Sequence, residues 1–287
     1  MNRHIKGGFF IIASMLLFSF IGIFVRVINR KIWILLFYGG LIGFLILTIY
    51  LIHKKGMRYL WPKKYKWLLF LSALIASGVV STYFQAYRTT TFANTVLLHY
   101  TAPIFAAIFA PIFLKERIDK PTIISLALSS LGIILIVYKE GFSLSNIGTI
   151  GSLFALASGI LYGFSILANK KLSAIFDPSL IMFYQYGFFL LWPLFMKPED
   201  YIINQREIIL IVIYTLIFSM LPALLYLTGL KDVKAQHAGI IAYVEVLAAI
   251  SYGYLFFNES PSLLTIIGGA LVILSGYIVM KAEFKRR

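Results

Sequence analysis

Long uninterrupted apolar blocks constrain this chain more than any other feature of its sequence. Two of them are "FFIIASMLLFSFIGIFV" and "WILLFYGGLIGFLILTIYLI". Blocks of about 20 apolar residues, wound as helix, match the roughly 30 Å thickness of the hydrocarbon core of a bilayer. Only 13% of the 287 residues are charged, against about 25% in an ordinary soluble domain. The sequence therefore predicts an all-α protein that crosses the lipid bilayer many times.

Composition also excludes several classes of function. The chain has no cysteine, which excludes disulfides, thiolate metal sites and thiol nucleophiles. No GxxxxGK[ST] loop is present, so direct use of ATP is not expected. No acid pair, metal cluster or nucleophile with its base lies within the apolar blocks, and we predict no catalytic residue, metal or cofactor. We attribute the net charge of +15 to basic loops and not to nucleic acid binding.

Breaks between the apolar blocks predict ten membrane spans. The first begins near Gly7 without a small-residue cleavage site behind it, so we interpret it as a retained span. Most of the 26 Lys and Arg residues fall at loops on the side of the N-terminus. Because positive residues mark the cytoplasmic face, both termini are predicted to be cytoplasmic, in a cytoplasmic (inner) membrane. Spans 1 to 10 are, in order, residues 8–28, 33–52, 67–89, 93–114, 121–138, 148–169, 178–196, 207–230, 235–257 and 262–280.

The second half of the chain repeats the first. At a shift of 143 residues, Tyr100 aligns with Tyr243 and Glu116 with Glu259, within an ordered series of apolar matches. Each half, 1–143 and 144–287, holds five spans. Because five is odd, the second half must cross the membrane in the opposite sense, which gives an inverted repeat.

The repeated segments "YTAPIFAAIFAPIFLKE", ending at Glu116, and "YVEVLAAISYGYLFFNE", ending at Glu259, resemble the EamA family of the drug/metabolite transporter superfamily. The family typically has a proline early in each segment; Pro103 fits, whereas the aligned position in the second half is Val246. The resemblance implies ten transmembrane helices, arranged as two inverted five-helix repeats around a central cavity. It also implies a carrier of small metabolites, often an exporter of amino acids or related compounds.

One acid stands in the middle of span 9. Glu245 lies ten residues beyond Ala235, which at 1.5 Å per residue places it about 15 Å deep, near the midplane. Ionisable residues at this depth are costly and commonly functional. Glu245 is predicted to bind a substrate amine or to carry protons. The alternative is a neutral acid that only forms a hydrogen bond with a neighbouring helix.

His99 is the other titratable group within the spans that could serve transport. It lies about 9 Å from the end of span 4, and the repeat aligns Ala102, one turn away, with Glu245. We expect His99 and Glu245 to face each other across the cavity, directly or through water or substrate. Imidazole titrates near physiological pH and suits proton coupling, although His99 could instead only bond a neighbouring helix. Pro103 frees the carbonyl of His99 and is a candidate hinge.

Further polar residues complete the predicted site. Gln85 is the preferred binding candidate at the end of span 3, and the other possible cavity residues are Tyr83, Tyr100, Tyr243 and Gln185. Glu116 and Glu259 end equivalent helices on opposite faces of the membrane, which suggests structural or gating roles. Arg26, near the end of span 1, is expected to extend its guanidinium towards the membrane surface.

These features together predict a secondary transporter that works by alternating access. The predicted substrate is an amino acid or related zwitterion, moved outward, with protons as a possible coupling ion. An intramembrane enzyme or a channel without gradient coupling is the alternative. A homodimer is a further possibility, since small residues on span 10, such as Gly268, could pack between subunits as well as within one.

Overall fold

The computed structural model describes residues 3–102, 104–106, 108–109, 120–138, 147–195, 197, 201–232 and 235–285. All regular secondary structure within these ranges is helical, which confirms the prediction of an all-α protein. Each of the ten predicted spans coincides with helical residues. In chain order the helices are Arg3–Phe18 and Ile21–Ile28 in span 1, Ile32–Lys55 in span 2, Lys66–Thr89 in span 3, Phe92–His99 in span 4, Lys120–Tyr138 in span 5, Ile147–Ser173 in span 6, Pro178–Phe188 with the 3₁₀ turn Phe189–Phe195 in span 7, Gln205–Ile213, the π-helix Tyr214–Met220 and Leu221–Asp232 in span 8, Ala235–Phe257 in span 9 and Leu263–Lys285 in span 10.

Helix length and surface chemistry both suit a bilayer. Five helical stretches are long and apolar enough to cross a membrane: Lys6–Ile28, Ile32–Lys55, Lys66–Thr89, Ile147–Ser173 and Gln205–Leu230. Large apolar side chains such as Phe9, Ile49 and Leu255 stand exposed on the outside of the bundle. Such side chains are stable against lipid tails, whereas in water they would form an aggregation-prone surface. The protein is therefore a multi-pass membrane protein.

The helix contacts follow the inverted repeat. Span 3 packs extensively on span 6, and span 1 packs on span 8. Span 4 packs on span 6, and span 1 packs on span 9. Three further contacts each join a span to its own counterpart in the other half: spans 2 and 7, spans 4 and 9, and spans 5 and 10. Exchanging each span of the first half with its counterpart in the second leaves this pattern unchanged, as a pseudo-twofold axis requires. The boundary between residues 143 and 144 stays a prediction.

Glycines allow the closest of these contacts. A Cβ on Gly159 of span 6 would lie 2.6 Å from the carbonyl oxygen of Leu98 in span 4. A Cβ on Gly132 would lie 2.6 Å from the carbonyl of Gly268, and the reverse distance is the same. Small residues let helix backbones approach without a side chain between them, which favours association within the membrane. Gly268 thus packs within the chain, and a homodimer stays a prediction.

The helices of the bundle finish at two opposite ends. Spans 1, 3 and 9 finish at the end where Arg26 and Glu259 meet, which we call the Arg26 end. Span 2 finishes with Lys55 at the opposite end, which we call the Lys55 end.

Candidate functional site

Glu245 lies at the centre of the bundle and accepts hydrogen bonds from tyrosine hydroxyls. Its side chain belongs to span 9 and the residue is only 5% exposed. The hydroxyl of Tyr100 donates to Oε2 at 2.8 Å, and the hydroxyl of Tyr83 donates to Oε1 at 3.1 Å. The Tyr87 hydroxyl lies 3.0 Å from that of Tyr83. Each carboxylate oxygen thus has a neutral donor from the first half of the chain.

Local helix geometry explains the positions of these tyrosines. Tyr83 and Tyr87 are four residues apart in span 3 and therefore lie on one face of its helix. Tyr100 follows Phe92–His99 of span 4, a segment that is buried throughout. Because spans 4 and 9 pack against each other, Tyr100 reaches Glu245 directly.

No cation balances this carboxylate within the described part of the chain. Its hydrogen-bond partners there are the two tyrosines, whereas the described Arg and Lys ion pairs involve other acids. A buried carboxylate without a paired cation is costly when ionised, and neutral donors offset only part of that cost. Glu245 therefore provides a place for either a proton or a cationic group.

His99 lies in the same cluster but does not bond Glu245. The residue is 6% exposed, and its ring stacks between those of Tyr83 at 4.1 Å and Tyr162 at 4.7 Å. Its Nδ1 lies 2.9 Å from the Ser158 hydroxyl. Tyr83 touches both His99 and Glu245, so a single side chain connects the two residues that the sequence predicts to face each other.

Both halves of the chain build this cluster. The hydroxyls of Tyr162 and Tyr226, from spans 6 and 8, interact beside it. Tyr226 occupies the repeat position of Tyr83, at the same shift of 143 residues. We call the following set the central cluster: Tyr83, Tyr87, His99, Tyr100, Ser158, Tyr162, Tyr226 and Glu245.

Two predicted site residues lie apart from the central cluster. Gln85 is two residues from Tyr83 and so projects from a different face of span 3, where it is half-buried. The Gln185 amide donates to the Asn169 carbonyl oxygen at 3.3 Å, and Asn169 donates to Ser165 at 3.1 Å. Gln185 therefore belongs to a polar chain along span 6. Pro103, Glu116 and the side chain of Tyr243 lie outside the described residues.

Sequence reasoning missed half of the central cluster. Tyr87, Ser158, Tyr162 and Tyr226 were not among the predicted site residues. Helical spacing offers one signal, because Tyr87 is one turn from Tyr83 and Tyr162 one turn from Ser158. The repeat offers a second, since Tyr226 aligns with Tyr83. With 18 Tyr and 25 Phe in the chain, most aromatic residues are packing, and neither signal is distinctive alone.

Arg26 and Glu259 form an ion pair at the Arg26 end. Arg26 also donates to the backbone carbonyls of Tyr87 at 2.6 Å and Thr90 at 2.7 Å. Glu259 accepts from the backbone N–H of Phe92 at 2.8 Å. The cation thus satisfies carbonyls at the end of span 3, and the acid satisfies an N–H at the start of span 4. The expectation that Arg26 extends towards the membrane surface stays a prediction, and in the structure these acceptors hold its guanidinium at the end of the bundle.

Aromatic rings enclose this ion pair. The Arg26 guanidinium carbon lies 4.5 Å from the ring centre of Phe92 and 4.9 Å from that of Phe257. Its side chain is 18% exposed and that of Glu259 is 20% exposed. A cation between two ring faces gains further electrostatic attraction. The pair therefore joins spans 1, 3, 4 and 9 across the Arg26 end.

The Lys55 end has a weaker polar contact. Asp177 lies 3.4 Å from the Lys55 ammonium, and their side chains are 42% and 51% exposed. The Tyr59 hydroxyl donates to Asp177 at 2.9 Å. Partial burial, and to a smaller extent this hydrogen bond, raises the pKa of Tyr59 above its ordinary value. The hydroxyl therefore stays a donor at physiological pH. Exposed pairs of this kind add little to stability.

Comparison with known proteins agrees with this architecture. The model of the EamA-like transporter family matches residues 5–138 and again 149–281. The chain belongs to the EamA-like transporter family. The two matches cover the two five-span halves in turn. Membership makes the chain a membrane transporter of the drug/metabolite superfamily and not an enzyme.

Named relatives and a solved structure extend the comparison. An uncharacterized transporter of Archaeoglobus fulgidus is 30% identical over 71% of this chain and 72% of its own length. Mouse solute carrier family 35 member G1 is 25% identical over 93% of this chain and 76% of its own. The pseudopaline exporter CntI of Pseudomonas aeruginosa is 26% identical over 72% of each chain. A crystal structure covering 98% of both chains superposes with a TM-score of 0.67 at 15% identity, a likeness of fold alone.

Within the described ranges, no group of three His, Asp or Glu residues is placed to hold a metal ion. The central cluster holds one His and one acid, and Ser158 and the tyrosines are neutral donors and acceptors. These groups can donate and accept hydrogen bonds.

Proposed function

We propose that this EamA-family transporter is a secondary carrier that exports an amino acid or related zwitterion by alternating access. Glu245 is the observation that carries the proposal: a buried carboxylate, bonded by two neutral hydroxyls, in the middle of a transporter. A substrate ammonium supplies the cation that this carboxylate lacks among its described partners. The outward direction is supported by CntI, a relative named as an exporter.

A proton is the second possible partner of Glu245. Protonated, the acid is neutral and keeps its hydrogen bonds, because a tyrosine hydroxyl can accept as well as donate. Binding of protons and of substrate at one group would couple their movements through competition. The two uses of the acid give different results when it is neutralised.

The orientation of the bundle completes the proposal. The positive loops favour the Lys55 end in the cytoplasm, with both termini, and the Arg26 end outside a cytoplasmic membrane. In that orientation the Arg26–Glu259 pair closes the path from the outside to the central cluster. Opening of this pair and closure of the Lys55 end then give the alternating step. The gating role predicted for Glu259 is part of this proposal.

Counterflow in proteoliposomes tests the transport activity. Vesicles loaded with a pool of unlabelled amino acids receive each labelled amino acid outside in turn. Transient accumulation of a label supports a carrier and identifies its substrate. A flat trace for every amino acid, in vesicles whose protein is folded, rejects the proposed substrate class.

Glu245→Gln then separates the two uses of the acid. If Glu245 carries protons, transport driven by a proton gradient fails while exchange survives. If Glu245 binds the substrate amine, both activities fail. Glu207→Gln is the matched control, because Glu207 pairs with Arg30 at the Arg26 end, away from the central cluster. Both variants should unfold at a similar temperature, and unchanged transport in Glu245→Gln would remove this residue from the mechanism.

A further inference from the structure

The hydrogen bonds of Ser158 fix which ring nitrogen of His99 carries a proton. The Ser158 hydroxyl lies 2.6 Å from the carbonyl oxygen of Ala155. Two oxygens approach this closely only with a hydrogen between them, and a serine hydroxyl has one hydrogen to give. Ser158 must therefore accept at its second contact, the one with His99 Nδ1 at 2.9 Å. His99 is consequently the Nδ1–H tautomer, and in the neutral ring Nε2 is a bare acceptor.

Three sides of the imidazole are already occupied. Tyr83 and Tyr162 cover its two faces, and Ser158 holds the Nδ1 edge. No hydrogen bond to Nε2 comes from the side chains that the structure describes. The ring is thus held on three sides, and Nε2 is its one acceptor nitrogen without a hydrogen-bond partner in the described part of the chain.

Tyr83 places this acceptor close to a second one. The ring of Tyr83 stacks on His99, and its hydroxyl donates to Glu245. One ring contact and one hydrogen bond, both made by Tyr83, therefore connect the imidazole to the carboxylate. Both groups accept hydrogen bonds, and the aromatic rings of Tyr83 and Tyr162 lie against the imidazole.

We propose that His99 is a specificity-determining residue, whose Nε2 accepts a hydrogen bond from a substrate ammonium that Glu245 also binds. The ligand class is then a primary ammonium, which has N–H donors for both acceptors. A quaternary ammonium has the charge but no N–H, and leaves Nε2 and the carboxylate unpaired. This inference rests on the proposed function and adds the requirement for N–H groups.

Two variants of His99 test the acceptor role of Nε2 separately from the hydrogen bond that Nδ1 donates to Ser158. In His99→Gln the terminal amide extends to the depth of Nε2, and its oxygen can accept. In His99→Asn the shorter amide can still donate to Ser158, but nothing reaches the position of Nε2. Methylammonium and tetramethylammonium are the probes. We expect His99→Asn to bind methylammonium about tenfold more weakly, the usual effect of one lost charged hydrogen bond, and His99→Gln to stay within about threefold.

Histidine ¹⁵N spectra of the full-length protein provide a readout that a purely structural role would not move. The chain has four histidines, and the spectrum of His99→Asn identifies the signals of His99. We expect a protonated Nδ1 and a bare Nε2, with Nε2 shifting on addition of methylammonium but not of tetramethylammonium. Ser158→Ala, which does not touch the ligand, should release the tautomer and mix the two nitrogen signals.

Several results would overturn the inference. A protonated Nε2 in the free protein contradicts the tautomer. Equal shifts with both ammonium ions, or equal loss of affinity for both in His99→Asn, contradict the role in selecting N–H groups. If counterflow fails for all amino acids while methylammonium still shifts the ¹⁵N signal of Nε2, the binding site is supported and the proposed substrate class is rejected. If counterflow succeeds while the ¹⁵N signal of Nε2 does not shift with methylammonium, the proposed function is supported and the role of His99 is rejected.

Discussion

Replacing Arg26 by glutamine should loosen the Arg26 end without unfolding the bundle. The guanidinium donates to the Glu259 carboxylate and to the carbonyls of Tyr87 and Thr90. Glutamine is shorter and neutral, so at most one of these hydrogen bonds can be kept. Glu259 would then retain its bond from the Phe92 N–H, and spans 1 and 3 would lose their charged connection to span 9.

The size of the effect follows from burial. Hydrogen bonds to charged groups contribute about 1.5–3 kcal/mol each when well buried, whereas exposed ion pairs contribute about 0–1 kcal/mol. The side chains of Arg26 and Glu259 are about one-fifth exposed, so water screens part of the interaction. We therefore take about 2 kcal/mol for the whole change. Since 1.4 kcal/mol is a factor of ten, opening at this end should become about 30-fold more frequent.

Cysteine labelling measures this opening directly. The chain has no cysteine of its own, so Ala93→Cys introduces a unique thiol. Ala93 is buried beside Phe92 and lines the small cavity that also includes Glu259 and Gly253. A water-soluble maleimide should reach this thiol only when the Arg26 end opens. With Arg26→Gln added, the labelling rate should rise by about the factor given above, while thermal unfolding remains cooperative.

Lys55→Gln in the same Ala93→Cys background is the matched control. Lys55 also loses a carboxylate partner, but the pair spans 3.4 Å and both side chains are about half exposed. Labelling should change by about twofold or less. Glu259→Gln should raise the rate less than Arg26→Gln, because Arg26 then keeps its bonds to the carbonyls of Tyr87 and Thr90. The effects of the two substitutions should be less than additive in the double variant, because the two residues share the ion pair. An unchanged labelling rate in Arg26→Gln, or an equal rise in Lys55→Gln, would refute the gating argument.

Two other predictions concern packing and the carboxylate. Gly159→Ala should lower the free energy of unfolding by about 1–3 kcal/mol, because its new methyl meets backbone. Gly78→Ala should lower it less, because the new methyl there meets only a side-chain methyl at 3.1 Å. Equal shifts of the unfolding temperature in detergent would contradict this prediction. Tyr100→Phe should weaken substrate binding about tenfold in a competition assay, because one oxygen of Glu245 loses its donor. Tyr87→Phe should have a smaller effect, since that hydroxyl reaches Glu245 only through another tyrosine, and the reverse order would contradict the assigned contacts.

The fold was largely predictable because a bilayer leaves few options to a chain. Backbone groups in hydrocarbon must be bonded within the same segment, so each apolar block has to be a helix. An odd number of spans per repeat then requires inversion. The central acid was also predictable, since Glu245 is isolated within an apolar run and the cost of burying it needs an explanation. Local sequence therefore determines the helices and identifies the unusual residue.

The partners of that acid could not be predicted in the same way. Hydroxyls from spans 3 and 4 bond Glu245 only after the two halves have packed, and nothing local distinguishes Tyr83 from the other tyrosines. The partners of Arg26 could not be predicted for a related reason. Its acceptors are carbonyls at the end of span 3 together with Glu259, which is far away in sequence, so the local sequence of span 1 does not identify them.

The central cluster combines a symmetric scaffold with asymmetric chemistry. Tyr83 and Tyr226 occupy equivalent positions in the repeat, whereas Glu245 aligns with Ala102 and His99 aligns with Ala242. A second acid at position 102 would bring another buried carboxylate towards the same axis, and like charges at low dielectric repel strongly. One acid per bundle avoids this repulsion while the repeated helices can still interchange their arrangements. Because the acid and the imidazole come from different halves, the two access states of the proposed transport cycle are not chemically equivalent, and they need not bind the substrate with equal affinity.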